Sequence, residues 1–208
     1  YYNYFTVNTN ARVDGSNAFG DQSNDKLLPI WSASANWNIS ELPGLKETKW
    51  LDFLRLKASF GYQGNMLSDQ SPVMIISKEP LNSHFGENVA SVSRYPNPNL
   101  KWEETTTWNA GFDFGFLDNR ITSSLDYYYR ETKDLINVID VPAGTNFKNR
   151  IVSNIGSLRN QGVEFSINAK AISTPDWKWD LGFNVAWNNN EITKLTAQDD
   201  ASSIVLTG

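Results

Sequence analysis

The sequence has no cysteine and one histidine, His84. Without thiols there is no disulfide, no cysteine nucleophile and no thiolate metal site. His84 lies in a proline-rich stretch with no second imidazole and no suitably spaced carboxylates. It therefore supports neither a metal centre nor an acid–base pair, and it reads as a solvated loop residue. Also missing is any run of about 20 apolar residues, which a membrane-spanning helix needs. No basic stripe offsets the acidity: 18 Lys and Arg against 23 Asp and Glu leave a net charge of −5. That balance excludes nucleic acid as a partner.

Aromatic and small polar residues are abundant. Eight Trp, eight Tyr and eleven Phe stand beside many Asn, Ser and Thr. Seven segments alternate apolar and polar side chains over about ten residues each, the two-residue period of a strand with one apolar and one wet face. They are residues 4–14, 30–40, 53–62, 103–116, 120–130, 162–172 and 177–188. No charge falls on the apolar side. Trp31, Ala33, Ala35 and Trp37 oppose Ser32, Ser34 and Asn36, and Phe165 and Ile167 oppose Glu164, Ser166 and Asn168.

Two architectures share this period. In a soluble β-sandwich the apolar sides pack together as a core, and aromatic loops could make such a module carbohydrate-binding. In a membrane barrel the apolar sides face lipid and the polar sides face a hydrated lumen. The polar sides carry Arg12, Arg55, Lys57, Asp113, Asp126, Arg130, Glu164, Lys170, Lys178 and Asp180, which cost little only where water or a polar plug meets them. Ten residues at about 3.3 Å each, tilted near 45°, span roughly 23 Å, close to the apolar height of outer-membrane barrels. Trp31, Trp37, Tyr62, Trp108, Phe116, Tyr129, Trp177 and Trp187 fall near segment ends, where aromatic girdles lie. Connections alternate in length, with loops at 15–26, 64–100 and 131–159 and short turns at 117–119 and 174–176. A hairpin within 135–154 and a short strand at 204–206 are further candidates. The fold expected is all-β: an antiparallel transmembrane barrel segment of seven or eight strands.

Four stretches resemble the SusC-like TonB-dependent transporters of Bacteroidetes outer membranes, the SusC/RagA family. They are Arg12-Val13-Asp14-Gly15-Ser16 followed by Phe19, Ser59-Phe60-Gly61-Tyr62-Gln63-Gly64-Asn65, Asn97-Pro98-Asn99-Leu100-Lys101-Trp102-Glu103, and 154–164 from Asn154-Ile155-Gly156 to Gly162-Val163-Glu164. The resemblance implies an outer-membrane importer of glycans or oligopeptides. It further implies a SusD-like surface lipoprotein as lid, energy from the TonB complex, and outer-membrane lipid around the wall. Seven or eight strands cannot close a 22-stranded barrel. Residues 1–208 are accordingly expected to be part of the C-terminal half of a barrel, with plug, TonB box and signal peptide lying outside them.

No residue is expected to be catalytic, and no cofactor or metal is expected. The 14–25 loop has Phe19 where a calcium loop of the EF-hand type needs glycine. Glu103-Glu104 and Asp199-Asp200 are adjacent pairs whose members point to opposite faces of a strand, so they read as surface charge. Gly61, Gly64, Gly156 and Gly162 read as strand-end glycines. Phe85 and Tyr95, in the longest loop, are the candidates for stacking on substrate or touching the lid protein.

Overall fold

The structure, a computed structural model, describes residues 4–17, 26–66, 73–80, 86–94, 97, 99–140 and 150–195. The strands are β1 (Phe5–Gly15), β2 (Leu27–Asn38), β3 (Leu51–Asn65), β4 (Ile75–Lys78), β5 (Ala90–Arg94), β6 (Glu103–Phe116), β7 (Ile121–Asp140), β8 (Arg150–Ser173) and β9 (Lys178–Leu195). Seven of them form one antiparallel sheet in the order β1-β2-β3-β6-β7-β8-β9, and β4 and β5 pair separately. Among the described residues a single 3-10 turn, Ile39–Glu41, is the whole of the helical content.

Cross-strand register turns the local alternation into two continuous faces. One row runs Phe5, Trp37, Leu56, Phe112, Leu125, Phe165, Val185; the next runs Val7, Ala35, Ala58, Ala110, Tyr127, Val163, Trp187. The opposite face carries Thr6, Asn36, Lys57, Gly111, Asp126, Glu164 and Ala186 in one row. A one-residue slip anywhere would exchange the faces. Among the described residues no second layer covers the apolar side: Trp108 is 54% exposed and Phe183 58%. The β-sandwich alternative is thereby overturned, because its core would bury these rings between two sheets.

Several strands are longer than their alternation suggested. Residues 131–159, read as a loop with a candidate hairpin within 135–154, do pair there, and the hairpin is the continuation of β7 and β8 as one ladder to Asp140 and Arg150, interrupted by register shifts between Thr132 and Ile136. At about 3.3 Å per residue and a 45° tilt, the 24 residues of β8 rise roughly 55 Å, well beyond an apolar band of about 25 Å. Tyr129 and Trp187 therefore sit inside strands that continue past them, and Trp108 lies five residues inside the start of β6, so none of the three is at a strand end. The same extension moves Gly156 and Gly162 into the middle of β8. Gly162 is required for close approach: a Cβ there would lie 2.6 Å from the Tyr128 hydroxyl, whose ring covers the glycine on the polar face. Within 64–100, β4 and β5 supply order where none was expected. The suggested strand at 204–206 lies outside the described residues.

The short turn after β6 places Leu117, Asp118 and Asn119 in the left-handed region, at φ of 58°, 57° and 55°. Asp and Asn tolerate it better than leucine. The turn is held by its neighbour, as Asn119 N–H donates to Asp52 Oδ2 at 2.7 Å and Leu117 N–H to the Trp50 carbonyl at 3.1 Å. The buried apolar residues among those described are Leu28, Leu100 and Trp102, clustered at the opposite end, from which the long loops project.

Candidate functional site: the polar face and its loop-end joint

At the centre of the polar face Lys57 lies between two carboxylates, Nζ at 2.8 Å from Asp113 and 3.0 Å from Asp126. Three strands supply the group, β3, β6 and β7, and Gly111 makes it possible. A Cβ at Gly111 would overlap the Asp126 carboxylate, so the missing side chain opens the space through which Lys57 and Asp126 meet across β6. Toward the loop end the same face becomes an amide and hydroxyl surface around Arg130, with Asn10, Ser32, Thr107, Asn109 and Asn160 beside it. Asn109 donates to Ser59 Oγ at 3.0 Å, and Ser124 and Ser166 share a 2.7 Å hydrogen bond. Such a surface is wet, mixed in charge and able to exchange partners. Lys57→Met should lower the stability of the full-length protein by about 1–2 kcal/mol, because two partly exposed carboxylates then face each other unpaired. Urea titration of the folded band on a semi-native gel measures this. Adding Asp113→Asn and Asp126→Asn should restore most of the loss.

A second cluster joins three of the motif stretches at the loop end. Residues Lys133 and Asp134 bulge from β7, Asp134 at φ 54°. The bulge breaks the ladder and frees backbone groups that side chains then satisfy. Asn154 Nδ2 donates to the Asp134 carbonyl at 2.6 Å and to the Lys101 carbonyl at 3.0 Å, while its Oδ1 accepts from Lys101 N–H at 2.8 Å. Glu103 accepts from Ile136 N–H at 2.7 Å and from Asn65 Nδ2 at 2.8 Å. Asn97 donates to the Val152 carbonyl at 2.8 Å. Ile136 and Val152 pack on Leu28, Leu100 and Trp102, closing the joint with an apolar contact. Glu103, read from sequence as surface charge, is thus corrected to a bridging acceptor between β3 and β7. The adjacent Glu104 lies on the opposite side of the strand, as alternation requires.

His84, Phe85, Tyr95 and the pair Asp199-Asp200 lie outside the described residues, as do residues 18–25 of the loop weighed for calcium. In its described part Arg12 pairs with Asp14 at 3.2 Å. Among the described residues no three His, Cys, Asp or Glu side chains group as metal ligands. Sequence reasoning did not single out Lys57, Asn154 or Glu103 as interacting residues. The signal available for the last two was their place in the Asn97–Glu103 and Asn154–Glu164 stretches, whose contact only the register reveals.

One continuous sheet, apolar and uncharged on one face up to the level of Trp108 and Tyr129 and charged on the other, defines a section of a transmembrane β-barrel. Residues 1–205 match the family described as TonB dependent receptor-like, beta-barrel, and the chain belongs to that family, a family of the outer membrane. It is 46% identical over 203 residues to the TonB-dependent receptor SusC of Bacteroides thetaiotaomicron, covering 95% of this chain and 20% of that protein. It is 32% identical over 204 residues to TonB-dependent receptor P3 of Formosa agariphila, covering 96% and 20%. Among solved structures, the RagAB peptide importer in its closed-closed state superposes with a TM-score of 0.82 at 28% identity, over 94% of this chain and 21% of that one. The siderophore receptor PirA of Pseudomonas aeruginosa, at 17% identity, 91% coverage of this chain, 32% of that one and a TM-score of 0.55, shares the fold. The chain spans about a fifth of the length of the curated relatives it matches.

Proposed function

We propose that residues 1–208 form part of the barrel wall of a SusC-like importer that carries glycans or oligopeptides across the outer membrane. The observation that carries this reading is the pairing of a lipid-type face, uncharged up to the level of Trp108 and Tyr129, with a lysine-bridged, amide-rich inner face on one sheet. The 46% identity to SusC supports it. In this reading the wall does no chemistry. It keeps lipid out, offers the plug a wet surface at Lys57, Asp113 and Asp126, and raises the long loops to the outside. The plug and TonB box are supplied by the rest of the protein, and a SusD-like lipoprotein closes the loop end. Phe85 and Tyr95 are the proposed points of contact with substrate or lid.

The test is uptake. Cells deleted for the full-length gene, and cells lacking the TonB complex, should both fail to accumulate labelled oligosaccharide or oligopeptide of one class while still taking up monosaccharide. Undiminished uptake of every such oligomer in the deletion strain overturns the reading.

A further inference from the structure

The outward apolar rows end at the loop side with Trp108 and Tyr129, which are paired across β6 and β7. The next row on the same face is Thr106, Glu131, Arg159 and Glu191, each opposite the next across β6, β7, β8 and β9. Residues at this level, just beyond an aromatic girdle, meet lipid headgroups. Arg159 lies over the ring of Tyr129, 5.8 Å from its centroid. Its Nε is buried and has no hydrogen-bond partner among the described residues. Neither Glu131 nor Glu191 forms an ion pair with it there, although each is its direct cross-strand neighbour.

An arginine at the boundary of hydrocarbon whose Nε has no hydrogen-bond partner among the described residues calls for an anion, and its planar fork matches phosphate. A bare phosphate would also meet the two flanking carboxylates, and like charges at such spacing repel. The order of charge along the row, negative, positive, negative, fits instead a headgroup with both signs. Adjacent strands are about 4.8 Å apart, so an ammonium linked to the phosphate by two carbons reaches either glutamate. A primary ammonium donates hydrogen bonds to a carboxylate, whereas a quaternary one has no N–H to give.

We propose that Glu131, Arg159 and Glu191 form an outer-wall binding site for a phosphoethanolamine lipid headgroup. The phosphate sits on Arg159, braced by Tyr129, and the ammonium sits on Glu131 or Glu191. The site depends only on the outward direction of this face and stands whatever the importer carries.

Full-length protein reconstituted in nanodiscs of phosphatidylethanolamine, phosphatidylcholine or phosphatidylglycerol tests this, with retained lipid counted by native mass spectrometry after partial delipidation. Wild-type protein should retain phosphatidylethanolamine above the other two. Arg159→Ala should lower that retention roughly tenfold, the loss expected of a charge-assisted hydrogen bond. Arg159→Lys, which keeps the charge without the fork, should fall in between, and it serves if the alanine variant does not fold. Glu131→Gln with Glu191→Gln should abolish the preference over phosphatidylglycerol. Equal retention of all three lipids by wild type, or wild-type retention in both Arg159 variants, overturns the proposal. Displacement of the lipid by millimolar soluble phosphoethanolamine would overturn the assignment to a membrane source.

Discussion

Replacing Leu125 by arginine is expected to destabilise the barrel by about 2–4 kcal/mol, the cost of a cation at mid-depth on a lipid-facing wall. Leu125 lies four residues from Tyr129 and four from Ile121, between Phe112 and Phe165 in register. It has neither an aqueous edge to snorkel toward nor a carboxylate beside it. Asn109→Lys, on the opposite face, should have a far smaller effect, because its side chain enters a hydrated surface of Ser and Asn. The comparison is made by urea titration of full-length protein refolded into phospholipid vesicles. Similar losses for both variants would mean that the faces have been assigned in the wrong sense, and the membrane reading of the sheet would fall with them.

The second large effect is expected at the loop-end joint. Asn154→Leu removes three hydrogen bonds, two to Lys101 and one to Asp134. At about 1 kcal/mol net for each, the local opening of the β7–β8 extension becomes easier by about 2–4 kcal/mol. Amide exchange at Lys101 and Ile136 should then accelerate by roughly two orders of magnitude, and protease should cut between residues 133 and 154. The strands below Tyr129 should keep their protection, since their ladders do not pass through Asn154. Glu103→Gln should give a milder result, because an amide oxygen still accepts from Ile136 N–H. If exchange at Lys101 and Ile136 stays as slow as in wild type, the joint does not hold the extension.

Which residues share a face was readable from alternation alone, and Phe183, Val185 and Trp187 against Gly182, Asn184 and Ala186 show why. With a period of two, a strand needs no knowledge of its neighbours to sort its side chains. Strand ends were not readable in the same way. Above Tyr129 the outward positions turn polar in Glu131 and Arg159, and alternation of apolar with polar fades while the ladder continues. The pattern therefore marked the band of contact with lipid and left the length of β7 and β8 unstated. Glu103 is a similar case. Beside Glu104 it looked like one of two surface charges, and its acceptor role exists only because β7 runs on past Lys133, its last residue paired with β6, and so brings the Ile136 N–H to the Glu103 carboxylate.

Composition and period by themselves determined that this chain is built of strands with one apolar and one polar side, because each strand's chemistry is local; that the strands form one layer with the apolar side uncovered was decided by the structure. The tertiary structure decided what meets across strands: Lys57 with Asp113 and Asp126 through the gap at Gly111, Asn154 with Lys101, and Arg159 between two glutamates. Those contacts join residues up to 69 positions apart, from Lys57 to Asp126. They depend on register, which is set by the whole sheet and is written in no one segment of it.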